Sequence, residues 1–334
     1  IFYKAIGINF FIMEIISEAI KLLGRTGKET LKQQFFYGLI EKRVLVTGAN
    51  GQLGKELKEI SQQVNMPFKF YFTDIDSLDI TDRDQVDEFV SVNKIEYIIN
   101  CAAYTAVDKA ESDSDKAFAV NVNGIENIAI ASRKYNIKVI HISTDFVFDG
   151  ESRIPYKEND SVNPLSVYGE SKLEGERVLQ SMSPEWIIIR TSWLYSTYGD
   201  NFVKSMIRLM TERDSLKVVE DEIGSPTYAG DLAEMIIHIL QYSEEKDWKT
   251  GLYHFANRGE VSRFDFALKI KDATGIEDCE VSSITSKEYG APAKRPAYSV
   301  LDVTKISGAF KVEIPNWEES LIRCIEKLNS YQKR

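Results

Sequence analysis

The chain has 334 residues and a formal net charge of −10 at pH 7, with 43% hydrophobic and 28% charged residues. This composition is typical of a globular protein, and the length allows one large domain or two lobes with a sizeable core. The acidic balance argues against a nucleic-acid or anionic-membrane surface as the main binding face. It does not exclude an anionic cofactor, because local backbone N–H groups bind such ligands.

Residues 1–41 form an N-terminal extension whose role the sequence leaves open, with Met13 as one candidate for the natural start. Ile6–Leu23 is apolar but carries charged residues such as Glu14, so it is too polar for a spanning helix. It also lacks the features of a signal peptide, and its apolar spacing predicts an amphipathic helix. We therefore expect a cytoplasmic protein.

From Arg43 to Thr191, short apolar strands alternate with segments of helical spacing. The predicted strands are Arg43–Thr47, Lys69–Thr73, Glu96–Cys101, Lys138–Ser143 and Trp186–Thr191. The predicted helices are Gln52–Val64, Arg83–Asn93, Ser114–Tyr135 and Ser166–Ser181. This alternation predicts an α/β fold with a Rossmann-type doubly wound parallel sheet. Right-handed crossovers would bring the loops after the strands to one edge of that sheet.

After Tyr195 the alternation loosens. We predict helices at Asn201–Arg213, Asp231–Tyr242, Arg263–Ala273 (with Ser262 as N-cap) and from about Trp317, and strands at Ser215–Val219 and Gly251–Ala256. The predicted NAD(P)-binding core spans 42–195, with later core elements returning within 223–260. The predicted substrate-binding lobe, a smaller α/β unit, comprises 196–222 and 261–334.

A glycine-rich turn follows the first predicted strand and opens the first predicted helix. Gly48 allows a tight turn, Gly51 lets a pyrophosphate approach the backbone, and Gly54 lets the helix pack closely on the strand. The pyrophosphate would lie on the exposed N–H groups at the helix start. The residues predicted to bind the cofactor here are Gly48, Asn50, Gly51, Gln52, Leu53 and Gly54.

Asp74 ends the second predicted strand, where a carboxylate accepts hydrogen bonds from the adenosine ribose. Because a carboxylate would repel a 2′-phosphate and no arginine follows directly, we expect NADH rather than NADPH. Asp79 and Ile80 follow, near the expected adenine. The third predicted strand is followed by Ala102, Ala103 and Tyr104. The small side chains in this segment would let the backbone approach the cofactor.

Tyr168 and Lys172 lie four residues apart, on one face of a predicted helix. A ketone becoming an alcohol needs a proton donor, and the lysine ammonium should lower the tyrosine pKa toward neutrality. Thr144, after the fourth predicted strand, would polarise the carbonyl oxygen. A Tyr-x-x-x-Lys spacing alone is common by chance, so the prediction depends on its place behind the glycine turn and Ser143-Thr144-Asp145.

These motifs resemble the extended short-chain dehydrogenase/reductases, and in particular those that reduce a 4-keto dTDP-sugar. The resemblance runs from about Lys42 to near the C-terminus. It is carried by the glycine turn and by the runs Ala102–Glu111, Ser143–Phe148, Pro164–Gly169, Arg190–Tyr195 and Gly224–Thr227.

The resemblance implies a role for each matching residue. Tyr168 would be the proton donor, with Lys172 as its partner and as a ligand of the nicotinamide ribose. Thr144, Asp145 and Trp193 would contact the sugar, and Arg295 resembles an arginine that pairs with the substrate diphosphate; a plain surface arginine is the alternative. Some relatives bind Mg²⁺ at a dimer interface. We find no acidic counterpart for such a site, so neither the metal nor a homodimer is supported.

Three alternatives stay open beside a reductase. A 4,6-dehydratase needs an acid after Asp145, and the chain has Phe146 there, which disfavours dehydration. A 4-epimerase would retain NAD and return the hydride. A catalytically silent relative, like the regulatory subunit of methionine adenosyltransferase, would bind the cofactor while serving a partner. The scattered cysteines and histidines predict free thiols and no zinc site.

Overall fold

The computed structural model describes residues 41–63 and 66–332. The predicted amphipathic helix within 1–41 and the predicted helix end at Val64 lie outside these residues. None of the described helices is long and apolar enough to cross a membrane.

The described residues form twelve strands, numbered in chain order. They are β1 (Lys42–Thr47), β2 (Phe68–Phe72), β3 (Tyr97–Asn100), β4 (Lys138–Thr144), β5 (Trp186–Thr191), β6 (Leu194–Tyr195), β7 (Ser215–Val219), β8 (Ile223–Gly224), β9 (Thr227–Tyr228), β10 (Gly251–His254), β11 (Val261–Ser262) and β12 (Glu280–Ile284). Six of them make one sheet in the order β2-β1-β3-β4-β5-β10, with every pair parallel. The predicted parallel, doubly wound sheet is confirmed.

The helices are numbered in the same way. They are α1 (Gln52–Gln63), α2 (Arg83–Asn93), α3 (Val107–Ala110), α4 (Ser114–Phe118), α5 (Gly124–Tyr135), α6 (Val167–Met182), α7 (Phe202–Glu212), α8 (Ala229–Glu245), α9 (Arg263–Thr274), α10 (Ser286–Tyr289), α11 (Thr304–Phe310) and α12 (Trp317–Gln332). Side-chain caps fix several starts: Ser166 caps α6 and Ser262 caps α9, as predicted for Ser262.

Both faces of the six-stranded sheet are buried, as parallel sheets require. Alternate residues of β1 separate into two cores: Val44 and Val46 join α1, α8 and α11 on one face, and Leu45 joins α2 and α5 on the other. A third core lies outside the sheet, where α7, α9 and α12 pack together around Phe266. Ile306 and Phe310 of α11 pack on the sheet itself, within the segment we predicted for the substrate lobe; the predicted domain boundaries stay a prediction.

The largest departure from the prediction is the long helix expected at Ser114–Tyr135. It is divided into α4 and α5 by a π-helical turn at Ala119–Asn123. At this turn the Asn121 carbonyl oxygen comes so close to Gly175 of α6 that a Cβ there would lie 2.2 Å away. The predicted strand Gly251–Ala256 ends at His254, and the short elements β6, β8, β9, β11, β12, α3, α10 and α11 were not predicted.

Candidate active site

A cavity of about 840 Å³ opens at the carboxyl edge of the sheet. It lies beside β1 and β3, where the strand order reverses: the chain places β2 on one side of β1 and continues with β3 on the other. Ligands of doubly wound sheets bind at this kind of switch point. All the residues predicted for cofactor, catalysis or substrate lie on its wall. They are Gly48, Asn50, Gly51, Gln52, Leu53, Gly54, Asp74, Asp79, Ile80, Ala102, Ala103, Tyr104, Thr144, Asp145, Tyr168, Lys172, Trp193 and Arg295.

The glycine turn has the shape that the sequence predicted. Gly48 has φ +65°, and a Cβ there would lie 2.6 Å from the backbone nitrogen of Ala102. A Cβ on Gly54 would lie 2.5 Å from Cα of Ala49, so this glycine lets α1 begin directly against the turn. These two glycines let α1 begin close to the ends of β1 and β3 at the cavity wall, and the unpaired N–H groups of a helix start suit a pyrophosphate.

Asp74 is fixed by backbone donors at the end of β2. One carboxylate oxygen accepts from the Asn50 backbone N–H at 2.8 Å, and the other accepts from Ile75 N–H at 2.9 Å. Each oxygen keeps a free lone pair, so Asp74 can still accept from a ribose hydroxyl. Asp79 instead accepts from the backbone and hydroxyl of Thr81, at 2.9 and 2.8 Å, and shapes the loop toward α2.

The segment from Ala102 to Tyr104 is held by Asn121, a residue that the sequence did not single out. The buried Asn121 side chain accepts from the Tyr104 backbone N–H at 2.9 Å and donates to the Ser171 hydroxyl at 2.9 Å. Ser171 lies between Tyr168 and Lys172 on α6. The π-helical turn that carries Asn121 thus connects the cofactor side of the cavity to the helix with the catalytic candidates; such turns often occur at functional sites.

Lys172 is almost completely buried, at 2% exposed. Its ammonium donates to the Ile142 carbonyl oxygen of β4 at 2.7 Å. Burial lowers the pKa of Lys172 to about 8, and the negative charge of Glu176, one turn further along α6, acts in the opposite direction. Lys172 is therefore a positioned cation whose charge is sensitive to its surroundings near neutral pH.

Tyr168 is half-buried, with its ring 5.5 Å from the Phe146 ring in an edge-to-face arrangement. Burial raises the pKa of Tyr168 to about 12, the Thr144 hydroxyl opposes this shift, and the charge of Asp145 adds to it. Our prediction of a lowered Tyr168 pKa is therefore wrong for this structure, because the effect of burial outweighs the other influences. The Lys172 ammonium donates to the Ile142 carbonyl rather than to the phenol. In this structure Tyr168 therefore keeps its proton at neutral pH and is a weaker acid than a free tyrosine.

Thr144 and Asp145 lie directly after β4. The Thr144 hydroxyl donates to an Asp145 carboxylate oxygen at 3.1 Å and accepts from the Phe146 backbone N–H at 3.2 Å, which caps the short 3₁₀ turn Asp145–Val147. Asp145 is 2% exposed, and its second oxygen has no hydrogen-bond partner among the described residues. Burial raises the pKa of Asp145 to about 6, and the Ser299 and Thr144 side chains and the charge of Arg263 oppose this shift. An acceptor oxygen is thus left for a polar ligand.

Trp193 occupies an unusual backbone position, with φ +45°. For a bulky residue the left-handed region is strained by roughly 1–3 kcal/mol, and such strain is found mostly at functional sites. Gly224 makes room for the indole, since a Cβ there would lie 2.5 Å from the ring. The guanidinium of Arg263, at the start of α9, stacks on the indole 3.6 Å from its centroid. Arg263 also lies on the cavity wall, and the sequence did not single it out.

Arg295 reaches the cavity wall while bound to Asp108. Its two terminal nitrogens donate to the two Asp108 oxygens at 3.0 and 2.9 Å, and one of them also donates to the Ala293 carbonyl at 3.0 Å. Asp108 belongs to α3, in the run Ala102–Glu111 that carried the family resemblance. The sequence predicted Arg295 but not its partner, because 187 residues separate them.

A buried ion pair between Glu176 of α6 and Arg190 of β5 lies next to the catalytic candidates. Arg190 donates to the two Glu176 oxygens at 2.9 and 2.7 Å, and Ser143, next to Thr144, donates to the same carboxylate. This network connects β4, β5 and α6 where the site residues emerge. No group of three potential metal-ligating side chains occurs in residues 41–63 and 66–332.

Comparisons with known proteins find relatives over most of the chain. The family profile of the RmlD substrate binding domain matches residues 42–330. The dTDP-4-dehydrorhamnose reductase of Aggregatibacter actinomycetemcomitans is 45% identical over 285 residues, which cover 84% of this chain and 97% of that protein.

Solved structures agree as well. A dTDP-4-dehydrorhamnose reductase structure from Clostridium acetobutylicum has a TM-score of 0.80 at 42% identity, and covers 86% of this chain and 99% of its own. One from Bacillus anthracis, in complex with NADP, has a TM-score of 0.81 at 40% identity, and covers 86% of this chain and 100% of its own.

Proposed function

Because this chain belongs to the RmlD substrate binding domain family, we propose that it is a dTDP-4-dehydrorhamnose reductase. It would reduce the C4 ketone of dTDP-6-deoxy-L-lyxo-4-hexulose to dTDP-L-rhamnose, a sugar nucleotide used for surface polysaccharides. The observation that carries the proposal is the convergence of Thr144, Tyr168 and Lys172 on the same cavity as the glycine turn. That cavity offers both a proton donor and a place for a dinucleotide.

The residues on the cofactor side fit a nicotinamide dinucleotide. Gly48 lets the turn before α1 pack tightly against Ala102 at the cavity wall, and Asp74 keeps lone pairs for ribose hydroxyls. When bound, the cofactor supplies the hydride. We propose NADH as the preferred form because the Asp74 carboxylate lies where a 2′-phosphate would add negative charge. A cytoplasmic location stays a prediction, and we propose no dimer and no metal.

The chain's own residues would handle the ketone oxygen. Tyr168, protonated at neutral pH, would donate its proton to that oxygen while Thr144 donates a second hydrogen bond. Lys172 would hold its positive charge beside the nicotinamide ribose and favour the phenolate that Tyr168 leaves behind. The phenolate is then reprotonated from solvent before the next turnover.

The sugar would lie against Trp193 and the free oxygen of Asp145. An aromatic face packs against the apolar side of a sugar ring, and a carboxylate oxygen accepts from a hydroxyl. Phe146 follows Asp145 where a dehydratase needs an acid, so the cavity offers no second proton donor at that position. Reduction, rather than loss of water, is the reaction that this wall supports.

The proposal is tested by following NADH and NADPH oxidation with the 4-keto sugar nucleotide generated in situ, and by identifying the product. Formation of dTDP-L-rhamnose supports the proposal, and the ratio of kcat/KM for the two cofactors tests the preference for NADH. Protein that binds the cofactor but oxidises neither form would contradict the proposed function. A faster reaction with NADPH would refute only the role of Asp74.

A further inference from the structure

Three cationic side chains lie on the described cavity wall, and they differ in how fully the protein already uses them. Lys172 donates to the Ile142 carbonyl at 2.7 Å, and Arg295 donates to both oxygens of Asp108. Arg263 has only a long ion pair, 3.8 Å from its Nε to a Glu222 oxygen. That distance exceeds a hydrogen bond. Arg263 is therefore the cation with the most donors left for a ligand.

The position of Arg263 is fixed without using those donors. Its guanidinium stacks on Trp193 at 3.6 Å, and its other aromatic neighbour, Phe202, has its ring centroid 5.2 Å away. Stacking of this kind orients a guanidinium plane while its edge stays free for hydrogen bonds. The side chain is 19% exposed, so its charge is only partly screened by water.

Charged groups near Arg263 include Glu222, Asp145 and Arg295. Burial lowers the pKa of Arg263 to about 10, so it stays charged at neutral pH, and Glu222 and Asp145 act against this shift. Burial also raises the pKa of Glu222 and of Asp145. Neither carboxylate forms a hydrogen bond with the guanidinium among the described residues, and the Glu222 contact is 3.8 Å long. Arg295, by contrast, is compensated by a carboxylate in a two-bond contact.

We propose that Arg263 binds the diphosphate of the substrate and is the main anion-binding residue of the sugar-nucleotide side. The inference rests on the proposed function for the identity of the substrate. Arg295, which the family resemblance suggested for this role, then acts as a second contact that is already neutralised by Asp108. The stack places the guanidinium of Arg263 next to Trp193, the residue proposed to contact the sugar. The pair of side chains would therefore position both the diphosphate and the sugar of the substrate.

The test compares two probes, dTDP and thymidine, by calorimetric binding to the cofactor-loaded protein. Arg263→Gln should weaken dTDP binding by roughly 10- to 100-fold, the range expected for a lost charge-assisted contact, and should leave thymidine binding within about twofold. Arg263→Lys keeps the charge and should retain much of the dTDP affinity. Arg258→Gln is a matched control, since Arg258 is exposed, pairs with Glu313 and lies away from the cavity wall.

An equal loss of dTDP and thymidine affinity in both Arg263 variants would show that the residue only supports Trp193, and would overturn the inference. Unchanged dTDP binding would also overturn it. If Arg263→Gln fails to bind cofactor, the comparison of dTDP and thymidine binding is made with Arg263→Lys, and an equal loss of both affinities would again overturn the inference. Wild-type protein that binds dTDP through Arg263 but reduces no keto sugar would refute the proposed function while leaving the anion site standing.

Discussion

The two sides of the cavity are built in different ways. Most of the cofactor side comes from residues 48–104, where backbone groups meet closely, with Gly48 against Ala102 and Asp74 bonded to Asn50. The substrate side is made of large and charged side chains from distant segments, such as the stack of Trp193 with Arg263 and the pair of Asp108 with Arg295. The first side should be sensitive to an added Cβ, and the second to a changed functional group.

Tyr168→Phe removes the proton donor where the two sides meet, and should have the largest effect. We expect kcat to fall by about 10²–10⁴-fold, the range for a lost general acid, with cofactor affinity within about twofold. Steady-state kinetics and fluorescence titration of the cofactor measure both. Tyr71→Phe is the control, because its ring packs on Phe89 away from the cavity wall. A kcat within about threefold of wild type would refute the role of Tyr168.

Gly48→Ala tests the cofactor side. The added Cβ would lie 2.6 Å from the Ala102 nitrogen, and the backbone has φ +65°. We expect cofactor affinity to fall by at least roughly 100-fold, because the clash displaces the segment that approaches the dinucleotide. Gly275→Ala is a matched control: φ is +66°, yet nothing lies within 4 Å of its Cβ. It should cost about 1–2 kcal/mol of stability and leave cofactor binding intact. Equal effects of both variants on affinity would break the contrast between the sides.

Asp145→Asn tests whether the buried Asp145 carboxylate on the substrate side destabilises the folded protein when it is ionised. Burial raises the pKa of Asp145 to about 6, above the value of about 3.9 in an unfolded chain. The folded protein therefore binds the Asp145 proton more tightly than the unfolded chain does. The stability that this protonated carboxyl contributes is lost as pH rises from about 4 to above 6. At pH 7.5 the free energy of unfolding of the Asn variant should exceed that of wild type by about 2–3 kcal/mol. Near pH 4 the two proteins should be about equally stable. Urea denaturation at the two pH values measures this.

Asp149→Asn provides the opposite sign as a control. Hydrogen bonds from Tyr156 and from the Glu151 backbone lower the pKa of Asp149, so its stabilising effect is present above the unfolded pKa and is lost as pH falls. This variant should be less stable than wild type at pH 7.5. If Asp145→Asn were also less stable at pH 7.5, the buried carboxylate would be stabilising and the account of the substrate side would be wrong.

Asp108→Asn should have the smallest effect. It removes the charge that neutralises Arg295, so dTDP should bind about threefold more tightly, a modest change because both side chains are partly exposed. Calorimetry with dTDP measures the difference. Asp87→Asn, which breaks the exposed pair with Lys134, is the control and should leave dTDP binding unchanged. Weaker dTDP binding in Asp108→Asn would mean that Asp108 orients Arg295 for the ligand rather than competing with it.

The same contrast explains how far the sequence could be interpreted. The glycine turn, Asp74 and the pair Tyr168 and Lys172 lie in short motifs whose spacing reflects local geometry, and the structure brings all of them to one cavity. Arg263 reads locally as the first residue of a helix, since its contact with Trp193 exists only in the folded chain. The break at Ala119–Asn123 was missed for the same reason: it follows the close approach of Asn121 to Gly175, which helical spacing does not report.

The shift of the Tyr168 pKa also depended on the fold. A lysine four residues away predicted a lowered value, but the structure buries the phenol, and the Lys172 ammonium bonds to the Ile142 carbonyl. The spacing of two residues on a helix gives their relative position and not the partner that each one finds.

The most direct test of the central claim is to supply cofactor carrying deuterium at both C4 positions of the reduced nicotinamide, with the 4-keto sugar nucleotide as substrate. If the two sides of the cavity hold hydride donor and ketone together, the product is dTDP-L-rhamnose with one deuterium on C4 of the sugar. Mass spectrometry and NMR of the product detect it. Product without deuterium on C4 of the sugar, or labelled cofactor left unoxidised by protein that binds it, would contradict the account.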